Sequence, residues 1–150
     1  MKWRFVDRII LFVPWLELRT EKAVSLEEYY LRERIGQPGE FPESLMLESC
    51  VQSAQWLIAA SSSFTQSGII ESIPEFAIKR TLYPGEKSDI VVTVNKKEKS
   101  IVYLSCRILV NDEELAVGNF SILLCPLNEL DCAAERKSLW LELLRIKEVK

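Results

Sequence analysis

The sequence predicts an α+β fold in which an antiparallel sheet is wrapped around one long central helix, with a further helix at the C-terminus. The helical pattern of residues 41–60 is apolar around most of its circumference, so it needs cover on nearly every side. Between Ser88 and Cys125, segments of alternating apolar and polar residues are joined by short polar turns, which indicates an antiparallel meander. A single buried helix beside a meander is covered best by a sheet that curls around it.

The chain before the central helix predicts a hairpin followed by irregular structure. Residues 4–13, with branched and aromatic side chains, predict a strand, and residues 15–24, after the interruption at Pro14, predict a second extended segment. Residues 25–28 have the S-x-x-E spacing of a capping box and predict a short helix or turn. The Gly-Gln-Pro-Gly sequence of residues 36–39 predicts a loop.

The central helix carries two polar residues that its apolar pattern does not explain. Pro42 and Ser44 suit a helix start, and apolar side chains dominate the turns that follow. Glu48 and Gln52 are four residues apart and therefore lie on one side of the helix. A carboxylate on a buried helix needs either a hydrogen-bonding partner or a chemical role.

The chain after the central helix predicts a polar connection, a run of strands and a final helix. Residues 61–68 are mostly serine, threonine and glutamine and predict the connection. Four segments predict strands: 75–80, 88–96, 101–110 and 115–125. Residues 128–147 predict an amphipathic helix, which we expect to dock on the sheet of its own chain rather than on a partner.

Length and charge limit the possible classes of protein. A chain of 150 residues predicts a single domain over residues 1–150, with its core in about 4–126 and the C-terminal helix at about 128–147. The net charge of -3 argues against nucleic acid or an anionic membrane as a partner. No apolar run is long enough to span a bilayer, and the N-terminus lacks the features of a signal peptide. Four scattered cysteines predict buried, reduced thiols in a cytoplasmic protein.

The chain contains no histidine. This count excludes a Ser-His-Asp triad, a Cys-His pair and any imidazole general base. A zinc site would have to use cysteines whose spacing does not suit one, so we expect neither a metal nor another cofactor.

Four segments in order resemble the β-hydroxyacyl-acyl-carrier-protein dehydratases of the hotdog fold. Residues 5–9 resemble the family's L-V-D-R-V, and residues 24–28 resemble its V-S-x-N-E. Residues 42–52, PESLMLESCVQ, are similar to P-G-V-L-x-x-E-A-M-A-Q on the family's central helix. Residues 76–86, FAIKRTLYPGE, are similar to A-R-F-K-R-P-V-x-P-G-D. The order and spacing of the four matches, over about residues 4–126, imply a single hotdog domain.

The resemblance implies a site that two subunits share. In the family, an acyl thioester lies in a tunnel at the dimer interface, with a histidine from one subunit and a helix carboxylate from the other. The carboxylate corresponds to Glu48, and Glu43, Ser44 and Gln52 correspond to substrate-binding positions. Glu43 replaces a family glycine near the start of the helix, where backbone N–H groups favour negative charge on the thioester oxygen.

The family's histidine has no counterpart in this chain. An ungapped alignment places Arg34 in its position, whereas alignment of residues 36–39 with the family's G-H-F-P-G loop places Gln37 there. Neither side chain can act as a general base near neutral pH. The resemblance therefore implies that the usual dehydration is lost, severely weakened or dependent on another subunit.

Three hypotheses follow for the role of Glu48. The chain could bind carrier-protein acyl thioesters in fatty-acid-type synthesis, as a homodimer or as a heterodimer with a histidine-bearing relative. It could instead be a hotdog thioesterase in which Glu48 is the base or nucleophile. Alternatively, Glu48 and Gln52 bond each other or the backbone and serve assembly alone. Lys79 and Arg80 form a small basic site that could contact an acidic carrier protein.

Overall fold

The computed structural model describes residues 4–25, 32–34 and 37–145, and for residues 32–34, 37–40 and 145 it describes the backbone alone. The strands are β1 (Arg8–Val13), β2 (Glu17–Ala23), β3 (Arg32–Arg34), β4 (Gln37–Glu40), β5 (Gln66–Ile78), β6 (Lys87–Glu98), β7 (Ile101–Val110) and β8 (Glu113–Pro126). The helices are α1 (Glu43–Ser61), α2 (Leu127–Leu130) and α3 (Ala133–Arg145).

Six strands form one antiparallel sheet in the order β1-β2-β6-β7-β8-β5. The predicted meander is β6-β7-β8, and it is confirmed. The hairpin β1-β2 extends it on one side, and β5 forms the opposite edge. Helix α1 lies against the sheet and contacts β2, β5, β6 and β7. The predicted α+β architecture, a sheet wrapped around a central helix, is therefore confirmed.

Helix α1 is buried on most of its surface, as its apolar pattern requires. Met46, Cys50 and Leu57 are fully buried in the core between the helix and the sheet. The buried hydroxyl of Ser53 on α1 shares a hydrogen bond of 2.8 Å with the hydroxyl of Thr20 on β2. Burial of apolar side chains on several faces thus fixes this helix in the sheet.

The N-terminal strand is shorter than the sequence predicted. Residues 4–7 lie outside the sheet, and β1 begins at Arg8. The backbone N–H of Phe5 donates to the Gln52 side chain at 2.9 Å. This N–H is therefore directed towards α1 and not towards a neighbouring strand. The Asp7 carboxylate accepts from the N–H of Ala23 at 2.7 Å and holds the segment beside the end of β2.

The region after α1 differs from the predicted connection. Only residues 62–65 connect α1 to β5, because β5 begins at Gln66 and pairs with β8. The polar residues at 66–68 predicted a loop, but pairing to β8 satisfies their backbone groups. Pro74 lies within β5, a position that the strand tolerates because it is at the sheet edge.

Two predictions about the segment before α1 have different outcomes. The predicted loop at 36–39 is wrong for residues 37–39, because they lie in β4, which pairs with β3. The predicted capping box at 25–28 lies largely outside the described residues.

The predicted C-terminal helix is two helices with a break between them. Asp131 has an extended backbone and separates α2 from α3. Its carboxylate accepts from the N–H of Cys132 at 2.9 Å and from the Arg136 side chain at 2.7 Å, which ties this residue to the first turn of α3. Helix α3 docks through Trp140 on Phe12 of β1, an edge strand of the sheet, and on Trp56 of α1, so the prediction that it docks on the sheet of its own chain holds at this edge.

The four cysteines are free, but they are not all buried. Cys50 and Cys106 are buried, Cys125 is half-buried and Cys132 is exposed, so the prediction of four buried thiols is wrong for the last two. A hydrogen bond to Cys106 and burial raise the pKa of the Cys50 thiol well above its ordinary value. Within the described part of the chain, no helix is long and apolar enough to cross a bilayer.

Candidate functional site

One stripe of α1 is not covered by the sheet, and it forms the floor of a cavity of about 1240 Å³. The stripe follows the helical repeat and consists of Ser44, Leu45, Glu48, Gln52, Gln55 and Trp56. Each of these residues has another member of the stripe three or four positions away, so their side chains share one face. The two polar residues singled out in the sequence therefore line this cavity.

Three other parts of the chain form the walls of this cavity. Residues 4–7 lie on one side, and the start of β5 with α2 lies on another. Helix α3 contributes a third wall through Glu135, Arg136, Leu139, Glu142 and Leu143. Segments far apart in sequence thus meet over the exposed stripe of α1.

A chain of hydrogen bonds orients Glu48. The amide nitrogen of Gln52 donates to Glu48 Oε1 at 3.2 Å, and Gln52 Oε1 accepts from the N–H of Phe5 at 2.9 Å. The half-buried Glu48 forms no salt bridge within the part of the chain that the structure describes. A carboxylate held by one neutral donor retains acceptor capacity for a ligand or a water molecule.

At the Trp56 end of the cavity, side chains of α3 contact the Trp56 ring of α1. The guanidinium of Arg136 lies over the Trp56 ring at 4.8 Å and bonds Asp131 through Nε at 2.7 Å. The Trp140 ring lies 5.8 Å from that of Trp56, and Leu127 is buried beside the cavity. The cation–π contact thus holds α3 against α1 at this end, and the ion pair fixes the start of α3 on the segment before it.

The opposite end, at the start of α1, is exposed. Glu43 and Ser44 both lie in the first turn and face solvent. A smaller cavity of about 330 Å³ begins there, lined by these two residues with Leu47, Phe76 and Ile78. The helix has no side-chain cap, so its first backbone N–H groups are not used by a capping side chain.

The two candidates for the missing histidine are cross-strand neighbours. Arg34 ends β3, and its Cα partner in the antiparallel pair is Gln37 at the start of β4. The alternative alignments therefore indicate the same point of one tight hairpin. The side chains of both residues lie outside the described part of the structure, so their role stays a prediction.

Lys79 and Arg80, the small basic site, form ion pairs with acidic residues of the same chain. Arg80 donates to both carboxylate oxygens of Glu86 at 2.8 Å, and Lys79 lies 3.7 Å from Glu114. The hydrogen bond from Arg80 is the main reason that the pKa of Glu86 is lowered, and the same bond raises the pKa of Arg80. A carrier-protein contact through these residues stays a prediction.

The contribution of α2 and α3 was not predicted. Sequence periodicity indicated that α3 is amphipathic, but it did not indicate what its apolar face covers. The spacing of Arg136 and Trp140 on one face, four residues apart, was the available signal. Among the described residues, no group of three or more Cys, Asp or Glu side chains is arranged to hold a metal ion.

Sequence comparison relates the chain to 3-hydroxyacyl-[acyl-carrier-protein] dehydratases named FabZ. The protein of Buchnera aphidicola subsp. Acyrthosiphon pisum is 26% identical over 111 residues, which cover 72% of this chain and 74% of that protein. The Cupriavidus metallidurans protein is 28% identical over 99 residues, which cover 64% and 66% of the two chains. No protein-family model matches the sequence.

Structure comparison relates the chain to solved members of the thioesterase superfamily. A Thermus thermophilus member has a TM-score of 0.62 at 18% identity and covers 88% of this chain and 97% of its own. A mutant of the fluoroacetyl-CoA-specific thioesterase FlK has a TM-score of 0.65 at 10% identity, with 85% and 98% covered. Zebrafish thioesterase superfamily member 2 has a TM-score of 0.62 at 14% identity, with 77% and 78% covered. At these identities the structures show a shared fold.

The sequence comparison and the structure comparison both relate the chain to proteins of the hotdog fold. The fold is shared with the solved structures, and the sequence similarity to the dehydratases extends over 111 residues of the chain. The chain is therefore a member of the hotdog-fold proteins, with weak sequence homology to the FabZ dehydratases.

Proposed function

We propose that this chain binds acyl thioesters, 3-hydroxyacyl groups on a carrier protein in particular, in the cavity beside α1. It acts in fatty-acid-type synthesis in the cytoplasm as a dimer, without competent dehydration of its own. A histidine-bearing relative in a heterodimer restores the reaction. The observation that carries the proposal is the position of Glu48, on the wall of a cavity of about 1240 Å³ in a chain without histidine.

The lining of the cavity suits a thioester with an acyl chain. Glu48, Gln52 and Gln55 offer polar contacts in the middle of the α1 stripe, and Leu139 and Leu143 add apolar surface from α3. A cavity with apolar walls and a few convergent polar groups is the usual form of a small-molecule site. The volume exceeds the roughly 300–1,000 Å³ of most such sites, so it admits a long flexible ligand.

The missing histidine determines what the bound thioester can undergo. Dehydration begins with removal of a proton next to the thioester carbonyl, which needs a base with a pKa near the working pH. A positioned general base contributes roughly a hundred- to ten-thousand-fold in rate. We therefore expect the homodimer to be slower than a histidine-bearing dehydratase by about this factor.

The test is a dehydration assay with a hydroxyacyl thioester of acyl carrier protein. The purified chain alone should show little product, and a heterodimer with a histidine-bearing dehydratase should recover activity that depends on Glu48. The matched variants are Glu48→Gln and Glu129→Gln, since Glu129 is exposed on α2 and does not line the cavity. Fast dehydration by the homodimer alone would refute the proposal.

A thioesterase activity is the second candidate. It is favoured by the retained acceptor capacity of Glu48, which can take a proton from an attacking water molecule without histidine. Acyl-thioester hydrolysis should then fall at least a hundredfold in Glu48→Gln and stay unchanged in Glu129→Gln. Equal hydrolysis by the wild type and Glu48→Gln would exclude this activity.

The hydrogen bond between Gln52 and Glu48 also fits a purely structural role. In that case Glu48→Gln should change the free energy of unfolding or the oligomeric state without affecting thioester binding. Denaturant unfolding and light scattering on the same variant separate this role from the two chemical ones. An unchanged stability and oligomeric state would remove its support.

A further inference from the structure

The backbone N–H of Phe5 determines which way the side-chain amide of Gln52 points. The nitrogen of this N–H lies 2.9 Å from Gln52 Oε1. A backbone N–H can only donate a hydrogen bond, whereas a glutamine amide presents a donor on one side and an acceptor on the other. The oxygen of Gln52 therefore faces Phe5, and its amide nitrogen faces Glu48 Oε1 at 3.2 Å.

The position of Phe5 is fixed by contacts other than its bond to α1. Its side chain is 2% exposed, and its ring packs edge-on against Phe41, with the ring centroids 5.9 Å apart. Two residues further on, the N–H of Asp7 donates to the carbonyl of Glu21 at 2.8 Å. The Asp7 carboxylate accepts from the N–H of Ala23 at 2.7 Å. Core packing at Phe5 and two hydrogen bonds at Asp7 therefore set the direction of the Phe5 N–H.

Without the bond to Phe5, the amide of Gln52 has a second orientation. The last torsion of a glutamine side chain is roughly two-fold, so a rotation of about 180° exchanges its oxygen and its nitrogen. In that orientation an acceptor would face the carboxylate of Glu48, which is itself an acceptor. Glu48 would then lose its donor and turn away from Gln52.

We propose that residues 5–7 are a positioning element for Glu48, with Gln52 as the positioning residue between them. The N–H of Phe5 orients Gln52, and Gln52 orients Glu48 towards the bound thioester. The inference rests on the proposed role of Glu48 in handling acyl thioesters. It gives a function to a segment that the sequence predicted only as part of a strand.

Hydrogen exchange at the Phe5 amide tests the bond between Phe5 and Gln52. Gln52→Met removes the acceptor, so the exchange of Phe5 should accelerate roughly two- to tenfold, the value of one ordinary hydrogen bond. Gln52→Glu keeps an acceptor for Phe5 and should not accelerate this exchange. The matched control is Gln66→Met, because Gln66 is a half-buried glutamine on β5 that does not line the cavity. Equal exchange of Phe5 in the wild type and Gln52→Met would overturn the proposal.

The kinetic test is Glu48-dependent dehydration of a 3-hydroxyacyl carrier-protein thioester by the heterodimer with a histidine-bearing dehydratase. A misplacement of about 1 Å can cost roughly a hundredfold in rate. Because both variants remove the donor to Glu48, kcat should fall roughly ten- to a hundredfold in Gln52→Met and in Gln52→Glu, with less than about a twofold change in KM. A raised KM with an unchanged kcat would mean that Gln52 only binds substrate, and it would overturn the positioning role.

A double-variant cycle tests whether Asp7 acts through Gln52. Asp7→Ala removes the acceptor for the N–H of Ala23 and loosens the segment, so kcat should fall roughly two- to tenfold. In the Gln52→Met background the same change should have no further effect on kcat, because the connection to Glu48 is already broken. Effects on kcat that multiply would overturn the role of the segment.

The two measurements separate this inference from the proposed function. If neither dehydration nor hydrolysis of a thioester depends on Glu48, the proposed function fails and the positioning role fails with it. The exchange rate of Phe5 then still decides whether its N–H fixes the amide of Gln52. If turnover depends on Glu48 but is unchanged in both Gln52 variants, the proposed function stands and the positioning role alone is refuted.

Discussion

Removal of the Trp140 side chain tests how α3 is attached to the rest of the protein. Trp140 is 6% exposed, and its ring lies 5.1 Å from Phe12, 5.8 Å from Trp56 and 6.2 Å from Phe64. These separations fall within the range of favourable aromatic pairs. The side chain thus joins α3 to β1, to α1 and to the turn that follows α1.

The expected cost of Trp140→Ala is large. Truncation of a buried tryptophan to alanine costs about 3–5 kcal/mol in the free energy of unfolding. A chain of this length has a stability of roughly 7–15 kcal/mol, so the variant should remain folded. With a urea dependence of about 2 kcal/mol per molar, the midpoint should fall by roughly 1.5–2.5 M.

The assay is urea unfolding followed by far-ultraviolet circular dichroism, with Leu141→Ala as the matched control. Leu141 is 54% exposed on the same helix, so its truncation should change stability by no more than about 0.5 kcal/mol. Limited proteolysis should cut Trp140→Ala within α3 earlier than the wild type, because the helix loses its anchor. A loss below about 1 kcal/mol for Trp140→Ala, or equal losses for both variants, would refute the docking described above.

Three further predictions concern other parts of the fold. Gly118→Ala should destabilise the protein by about 1–3 kcal/mol in thermal unfolding. The new Cβ would lie 2.6 Å from the Phe76 ring and equally close to a backbone oxygen of β5. A stability equal to that of the wild type would contradict this packing. Glu86→Gln should cost about 1 kcal/mol at pH 7, because the bidentate bond from Arg80 lowers the pKa of Glu86 in the folded state. The stability that this ion pair adds is fully present above the ordinary glutamate pKa of about 4.3 and is lost as the pH falls through the lower pKa of the folded state. The free energies of unfolding of wild type and variant should therefore converge in acid. A difference that stays constant with pH would contradict this role of Glu86. Among the four thiols, Cys132 should react first with a thiol reagent in the native protein, and the two buried thiols only on unfolding; rapid modification of all four would contradict their burial.

The position of Glu48 illustrates how much of the site follows from local sequence. Its spacing from Gln52 predicted that the two side chains lie together, and the bond of 3.2 Å confirms it. The spacing did not predict that Gln52 also holds the backbone of Phe5, because that contact joins residues 47 positions apart. Local periodicity determines which residues share a helix face, but it does not determine what approaches that face.

The length of β5 shows a similar limit. The polar residues at 66–68 have weak strand propensity, yet they lie in the sheet because β8 offers a complete row of backbone partners. Strand propensity depends on neighbouring strands more than on the segment itself. For the same reason, the short β3–β4 pair was not predicted from a Gly-Pro-containing segment.

The sequence by itself determined the class of fold, the central helix, the order of the meander and the absence of a histidine base. These properties depend on composition, on periodic patterns and on short motifs, all of which are local. Only the tertiary structure decided that α2 and α3 line the cavity beside Glu48. The contacts responsible join Trp140 to Phe12 and Trp56, and side-chain packing between segments so distant in sequence leaves no periodic signal in either segment.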